Sequence, residues 1–458
     1  MANLGTEPSA NGITDAKMAL TNEPNLGARL DSLSLQQISD AKNFVVPARR
    51  NRPGHSRDDR MLWGTSNLIS KIHVEPQPAE RRAGIGVEAS APVTIQNYKY
   101  VASYNWKDIE HPTIYVPGLS RPFPRYNDNV HTNPTAGIPP KFTPPSLPIQ
   151  LQKDNSTRSS ARSPAAPVDP LFQAILHEHP DFDMSSIDIV TTRRSLRDLL
   201  DFASCSTGKW RIDIDMVHNT MFINQWEEFR LMLINGRQNS EYGHTFEDSV
   251  VNKEAPLEDS LNHERIVEYE LGGLRFLVRF EADAYLEDDD SETREPMKIP
   301  LSDPPAPKPS PVIMKPPYKL VHVISRGRNV DPELIIELKS CSRGSINMGR
   351  TVPQLWFSQT KHLGVGYHKD GLVTRDLNMR EMTEKLDKWE ADNQKHLKSM
   401  IHVIKSIRDI ARTGERKLTV VCSMVDGLKC LSIYRRTGRG MTIRPEVVAQ
   451  CWKNSSTS

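Results

Sequence analysis

LIIELKSC (334–341) and FEADAY (280–285) are the two stretches on which the reading of this chain turns. Strand period two puts Glu337 and Lys339 on one face of the first, and Glu281 and Asp283 on one face of the second. If the two strands are neighbours, three carboxylates and an ammonium converge on a small patch of an otherwise apolar sheet. Carboxylates gathered there repel one another and lose hydration, so such a cluster usually has a cation to neutralise it. Hard oxygen ligands favour Mg²⁺ or Mn²⁺. A lysine two residues from a metal-binding glutamate can orient a water nucleophile or stabilise charge on a transferring phosphate. Glu-x-Lys by itself is common, and its ordinary reading is a solvated strand face with an ion pair. The apolar run Leu334-Ile335-Ile336 argues instead for a central strand, where a solvated face is less expected.

Working outward, RIVEYELGGLRFLVRFEADAY (265–285) reads as a hairpin with Gly272-Gly273 at its turn. WRIDIDMV (210–217) and TMFINQW (220–226) pair as strands around His218-Asn219. DIVTTRRSLRDLLDFA (188–203) is a short strand followed by a helix with Leu196, Leu199, Leu200 and Phe202 on its apolar face. Tyr242, Phe246 and Val250, four apart, mark another helix. QLWFSQTKHL (354–363) is a helix running into a strand. One long amphipathic helix is expected over about 375–413, and KLTVVCSM with LKCLSIYRR closes the chain as a hairpin. Strands interleaved with helices in this way predict an α/β (α+β) fold, a mixed β-sheet core flanked by helices.

The remainder of the 458 residues is of another kind. Only 37% are hydrophobic, and 34 are proline, so part of the chain is expected not to build a core. Residues 1–94, with the basic run PARRNRPGHSRDDR (47–60), read as a disordered basic region. Residues 95–165 read as short strands and a Pro-rich segment leading into the core domain of 166–458, which carries a Pro-rich insertion at 287–318. The formal net charge of +2 makes no case for a wholesale polyelectrolyte binder. The five cysteines are scattered, with no CxxC pair, against both a disulfide framework and a zinc ribbon. No apolar run is long enough for a membrane span, and the N-terminus has no secretory h-region, so a soluble, intracellular protein is expected.

In order along the chain, several segments resemble the motifs of the decapping and exoribonuclease (DXO-like) proteins of the PD-(D/E)XK nuclease superfamily. VTTRRSLRDLL (190–200) resembles the strand-to-helix segment carrying the motif arginine, at Arg193. EYGHTFE (241–247) is similar to the Gly-aromatic-x-aromatic-Glu motif, with His244 where the first aromatic is expected and Glu247 as the helical glutamate. FEADAY matches Glu-x-Asp, and IELKS (336–340) matches Glu-x-Lys. WFSQTKHLGVGYHKDG (356–371) is similar to the motif in which a tryptophan and a glutamine, here Gln359, precede Leu-Gly-Val. The resemblance covers roughly 185–375. The chain departs from it in the long insertion, in lacking basic residues just before Trp356, and in the short segment from Val365 to Gly371.

The resemblance implies a PD-(D/E)XK nuclease-like fold and metal-dependent hydrolysis at RNA 5′ ends: pyrophosphohydrolysis, decapping and 5′–3′ exonuclease action. It implies that Glu247, Asp283, Glu337 and the Leu338 carbonyl hold metal, two Mg²⁺ or Mn²⁺ ions, with Glu281 binding through water. Lys339 and Gln359 would position water and phosphate, and Arg193 would contact the substrate backbone. A 5′–3′ exoribonuclease partner and a nuclear location go with it. A non-catalytic module that keeps the fold and binds RNA or a partner exonuclease is the alternative. Asp288-Asp289-Asp290-Ser291-Glu292 superficially matches an isoprenyl diphosphate synthase motif, but that chemistry needs two copies on an all-α fold, and there is no second copy.

Overall fold

The structure, a computed structural model, describes residues 56–73, 91–109, 111–116, 138–159, 166–206, 208–227, 231–235, 241–255, 257–287, 320–327, 329–342, 344–425, 428–438, 440 and 442–452. A single-turn helix, α1 (Arg57–Met61), is capped by Ser56, whose hydroxyl accepts from the Asp59 N–H. β1 (Thr65–His73), β2 (Ile95–Lys107), β3 (Thr113–Val116) and the short β4 (Lys141–Phe142), β5 (Ile149–Gln150) and β6 (Asn155–Ser159) follow. Next come α2 (Asp169–Glu178), β7 (Ile189–Thr192) and α3 (Arg193–Ala203). The Thr192 hydroxyl accepts from the Ser195 N–H, so strand passes to helix without a loop and Arg193 opens α3. β8 (Trp210–Val217) and β9 (Thr220–Gln225) pair as a hairpin, ahead of β10 (Leu231–Asn235), α4 (Gly243–Ser249) and β11 (Val251–Asn252).

β12 (Ser260–Leu271) and β13 (Leu274–Ala282) form the long central hairpin, and β14 (Ala284–Tyr285) begins one residue beyond it. At its turn Gly272 has φ +59°, and a Cβ there would stand 2.7 Å from Ile401 Cγ1, so both conformation and packing require glycine. The chain continues through β15 (His322–Ser325), β16 (Ile335–Cys341), α5 (Met348–Ser358), β17 (His362–Lys369), β18 (Leu372–Val373) and β19 (Asn378–Glu381). It closes with α6 (Thr383–Asp392), α7 (Gln394–Thr413), the hairpin of β20 (Lys417–Val425) and β21 (Leu428–Arg436), and α8 (Pro445–Cys451).

These strands make two principal sheets, with β6 and β10 paired separately. The larger has the order β1-β21-β20-β8-β9-β7-β13-β12-β2-β3-β15, with β7 parallel to both β9 and β13. The smaller runs β11-β4-β14-β16-β17-β18-β5, with β19 also on β17 and β16 parallel to β17. One face of the large sheet packs on α3, α5 and α7 through Leu196, Leu199, Leu355, Trp356, Ile404 and Ile407. The other packs on α2 and α8 through Phe172, Ile175, Val447 and Trp452. A third cluster, with Phe246, Ile336, Leu338 and Val373, lies between α4 and the small sheet. The fold is therefore α+β, a mixed sheet flanked by helices, as the alternation of elements predicts.

Three expectations need correction. The region 1–94 is not wholly without structure: residues 57–61 and 65–73 form α1 and β1, and β1 pairs antiparallel with β21. Arg211, 5% exposed, donates to the Met61 and Trp63 carbonyls, 3.1 and 2.7 Å away, so hydrogen bonds to backbone hold a segment that composition reads as polar. Within the Pro-rich stretch, residues 138–159 include three short strands; β5 sits at one edge of the small sheet and β4 lies between β11 and β14 near the other, where strand pairing outweighs weak local propensity. The single helix expected over 375–413 is a strand and two helices, β19, α6 and α7. The helices meet at Asn393, whose side chain donates to the Trp389 carbonyl at 2.8 Å. The insertion expected at 287–318 lies, apart from Glu287, outside the described residues, as do residues 1–55 of the N-terminal region.

Candidate active site

The site forms where β13 leaves the large sheet. The strand ends at Ala282, Asp283 belongs to neither element, and β14 resumes in the small sheet with Ala284 opposite Ile336. Extending that register puts Asp283 level with Glu337. The Asp283 carboxylate accepts from the Leu338 N–H at 2.8 Å, taking the place of a ladder carbonyl just beyond the end of β14. N–H and C=O of one strand residue project to the same edge, so the Leu338 carbonyl also faces this junction.

Glu337 is 2% exposed and is held from three sides. Arg193 Nη1 lies 3.0 Å from its Oε2, while Lys339 Nζ and Gln354 Nε2 both donate to its Oε1. The Arg193 guanidinium also donates to the Ser358 hydroxyl at 3.3 Å and the Glu281 carbonyl at 3.1 Å, and lies over the Phe280 ring. Burial alone would raise the Glu337 carboxyl, but Arg193 and Lys339 outweigh it and hold the group at about 2. Asp283 goes the other way. Burial, then the negative charges of Glu337 and Glu247, push its carboxyl well above the usual range against the pull of Lys339 and the Leu338 N–H. Burial opposes charge on Lys339, yet Glu337 and Asp283 raise its ammonium above the ordinary value.

Glu247 is held by the packing of α4 near enough for its charge to act on Asp283. Its neighbour Phe246 is buried, and a Cβ on Gly366 of β17 would fall inside the Phe246 ring. Glycine at 366 thus seats α4 on the small sheet. Asp154 caps α4, accepting from the Thr245 N–H at 2.9 Å, and Glu247 itself stays partly exposed, 3.8 Å from His244 Nδ1.

Two residues stand differently from their expected places. Glu281 is exposed, and strand alternation turns its side chain to the face opposite Phe280, directly across from Glu264. The shared face expected for Glu281 and Asp283 fails because β13 ends between them. Gln359 closes α5 in the left-handed region, φ +51°, and its amide donates back to the Trp356 carbonyl at 2.7 Å. Gln354 reaches Glu337 instead, and its Oε1 accepts from Arg197 at 2.9 Å. Gln354 and Ser358, four apart, share one helix face, whereas Gln359 is rotated off it, a signal the sequence did contain.

Hard oxygen donors with a surplus of negative charge suit a divalent cation: burial, then the neighbouring carboxylates, raise the Asp283 carboxyl, and a cation would offset both. Among the described residues, though, no three His, Cys, Asp or Glu are already drawn together as a metal-binding group. Arg193 takes the place on Glu337 Oε2 that a cation would occupy.

A protein-family model covers residues 87–452, and the chain belongs to that family, described as a domain of unknown function, DUF8563. No protein of curated function matches its sequence. Among solved structures it is similar to Scheffersomyces stipitis Rai1, at 13% identity and TM-score 0.49 over 79% of this chain and 94% of that one. It is similar to Candida albicans Rai1 in complex with pU5-Mn²⁺, at 12% identity and TM-score 0.48 over 79% and 96%. For K. lactis Dxo1 in complex with manganese the values are 12%, 0.46, 78% and 95%. The likeness is one of fold. No helix among the described residues is long and apolar enough to cross a membrane.

Proposed function

We propose that the junction around Asp283 and Glu337 is the centre of a divalent-cation-dependent hydrolase acting on phosphorylated or capped RNA 5′ ends. The observation that carries this reading is the Asp283 carboxylate seated on the Leu338 N–H at the junction of the two sheets, level with the buried Glu337 that Lys339 and Arg193 hold. Asp283, Glu337, Glu247 and the Leu338 carbonyl are the groups that would hold Mg²⁺ or Mn²⁺, in the two-ion arrangement the motif resemblance implies. The cation would supply Lewis-acid charge to the phosphoryl oxygens. Lys339, with its side chain 31% exposed, is placed to donate to a phosphate oxygen as negative charge develops there. Gln354 bridges Glu337 and Arg197 and fixes the carboxylate's orientation. Arg193 does the same from α3, and on release from Glu337 its guanidinium offers a bidentate face to a phosphate.

A second reading is favoured by one observation: both oxygens of Glu337 are already satisfied by Arg193, Lys339 and Gln354, which is how a scaffold with no turnover would look. It would bind RNA or a 5′–3′ exoribonuclease without catalysis. Purified protein with Mn²⁺ or Mg²⁺, given RNAs bearing a 5′-triphosphate, an unmethylated cap, a monophosphate or a dinucleotide cap, separates the two. The hydrolase reading expects turnover of at least one end. It also expects a loss of about 100-fold or more in Asp283→Asn/Glu337→Gln, with RNA affinity kept, since the variant removes anions. No turnover of any end by the wild type, with RNA still bound, establishes the scaffold reading.

A further inference from the structure

The seam between α3 and α5 carries more positive charge than the carboxylate centre uses. Arg193 and Arg197 are four apart on α3, and Arg350 and Gln354 are four apart on α5, so each pair shares a helix face. Gln354 joins the two helices, accepting from Arg197 at 2.9 Å and donating to Glu337. Arg350 therefore lies one turn further from Glu337 along the same seam. Its guanidinium is exposed and has no hydrogen bond or ion pair among the described residues, and the Arg197 guanidinium donates to the neutral amide of Gln354. The two are close enough to feel each other: burial, then Arg193 and Arg350, hold Arg197 below its usual value. Among the described residues no carboxylate forms an ion pair with either arginine. Asp198 is half-buried, its carboxyl pushed up to about 6 by burial, with neither arginine paired to it, and Asp201 and Glu337 are the other carboxylates whose charge reaches Arg197.

From this arrangement we infer that Arg197 and Arg350 form a second anion subsite, one helical turn from Glu337, that binds a phosphate adjoining the one at the carboxylate centre. The inference rests on the hydrolase reading for the identity of the substrate, an RNA 5′ end. Two sources share the chemistry: the outer phosphates of a 5′-triphosphate, or the backbone phosphate of the next nucleotide. Gln354 couples the subsite to the centre, so that a phosphate on Arg197 also orients the amide that holds Glu337.

The test is equilibrium binding of one short RNA with a 5′-triphosphate or a 5′-monophosphate to the full chain without divalent metal, which requires no turnover. Arg350→Ala changes an exposed first-turn residue, and Arg197→Gln is its partner variant. Each is expected to weaken binding about tenfold and to lower the slope of log affinity against log salt by about 1. Loss confined to the triphosphate RNA assigns the outer phosphates, and equal loss for both assigns the backbone phosphate. Unchanged affinity and slope in Arg350→Ala overturns the subsite, as does a wild type that binds neither RNA. Circular dichroism and urea unfolding of Arg197→Gln identify a folding defect, in which case Arg350→Ala alone decides. Intact binding effects with no hydrolysis of any end would remove the hydrolase reading and leave the subsite standing.

Discussion

Arg193 and Glu337 form a buried ion pair across two elements far apart in sequence, with 11% and 2% of their side chains exposed and 3.0 Å between Nη1 and Oε2. The pair joins the first residue of α3 to the central strand of the small sheet. Removing one partner leaves a buried charge with fewer compensating groups, which costs about 3–5 kcal/mol when nothing else is near. Lys339 and Gln354 remain on Glu337, so Arg193→Ala is expected to cost less than that, about 2–3 kcal/mol by urea unfolding. Arg193→Met/Glu337→Gln should be less destabilised than the sum of its single changes. Strict additivity would show that the two side chains do not act as a pair.

Gly366 and Phe246 give a packing test of how Glu247 is placed. Gly366→Ala puts a methyl into the Phe246 ring and should cost about 1–3 kcal/mol, with α4 displaced. In a Phe246→Ala background the same substitution should cost little. Equal penalties in both backgrounds would show that Phe246 is not what the new methyl meets.

Glu178 of α2 supplies a pH dependence remote from the candidate site. Its carboxylate accepts from the Ser103 N–H at 3.0 Å and from the Tyr100 hydroxyl, yet burial outweighs these and raises the carboxyl to about 7. A folded value above the unfolded one means the contribution is fully present below about 4.5 and is lost as pH rises through about 7. Glu178→Gln should therefore gain on the wild type between pH 5 and pH 8 in urea midpoint. A difference that does not move over that range would rule out the raised value.

Deleting residues 1–74 should destabilise the remaining domain and promote self-association. The deletion uncovers the β21 edge that β1 pairs with, an open template for strand addition. It also strips Arg211 of two carbonyl partners, leaving Asp213 and Thr419 on the guanidinium. Light scattering and thermal unfolding of the truncated chain measure both effects. A monomer as stable as the full chain would show that β1 adds nothing.

What the sequence alone determined is local. Alternation in WRIDIDMV and in the 265–285 hairpin, helical spacing in 193–203, and the apolar run before Glu337 each concern residues within a few positions of one another, where backbone geometry sets the period. Glu337 and Lys339 were legible as a same-face pair for that reason. Tertiary structure decided what depends on distant partners. It ended β13 at Ala282, passed the chain to a second sheet, and turned Asp283 onto the Leu338 N–H and away from the face of Glu281. It brought Gln354 rather than Gln359 to Glu337, because the helix face that meets α3 is chosen by packing between helices. It also recruited β1 from a polar region through backbone hydrogen bonds to β21, and backbone groups are the same whatever the side chains, so composition carries no record of them.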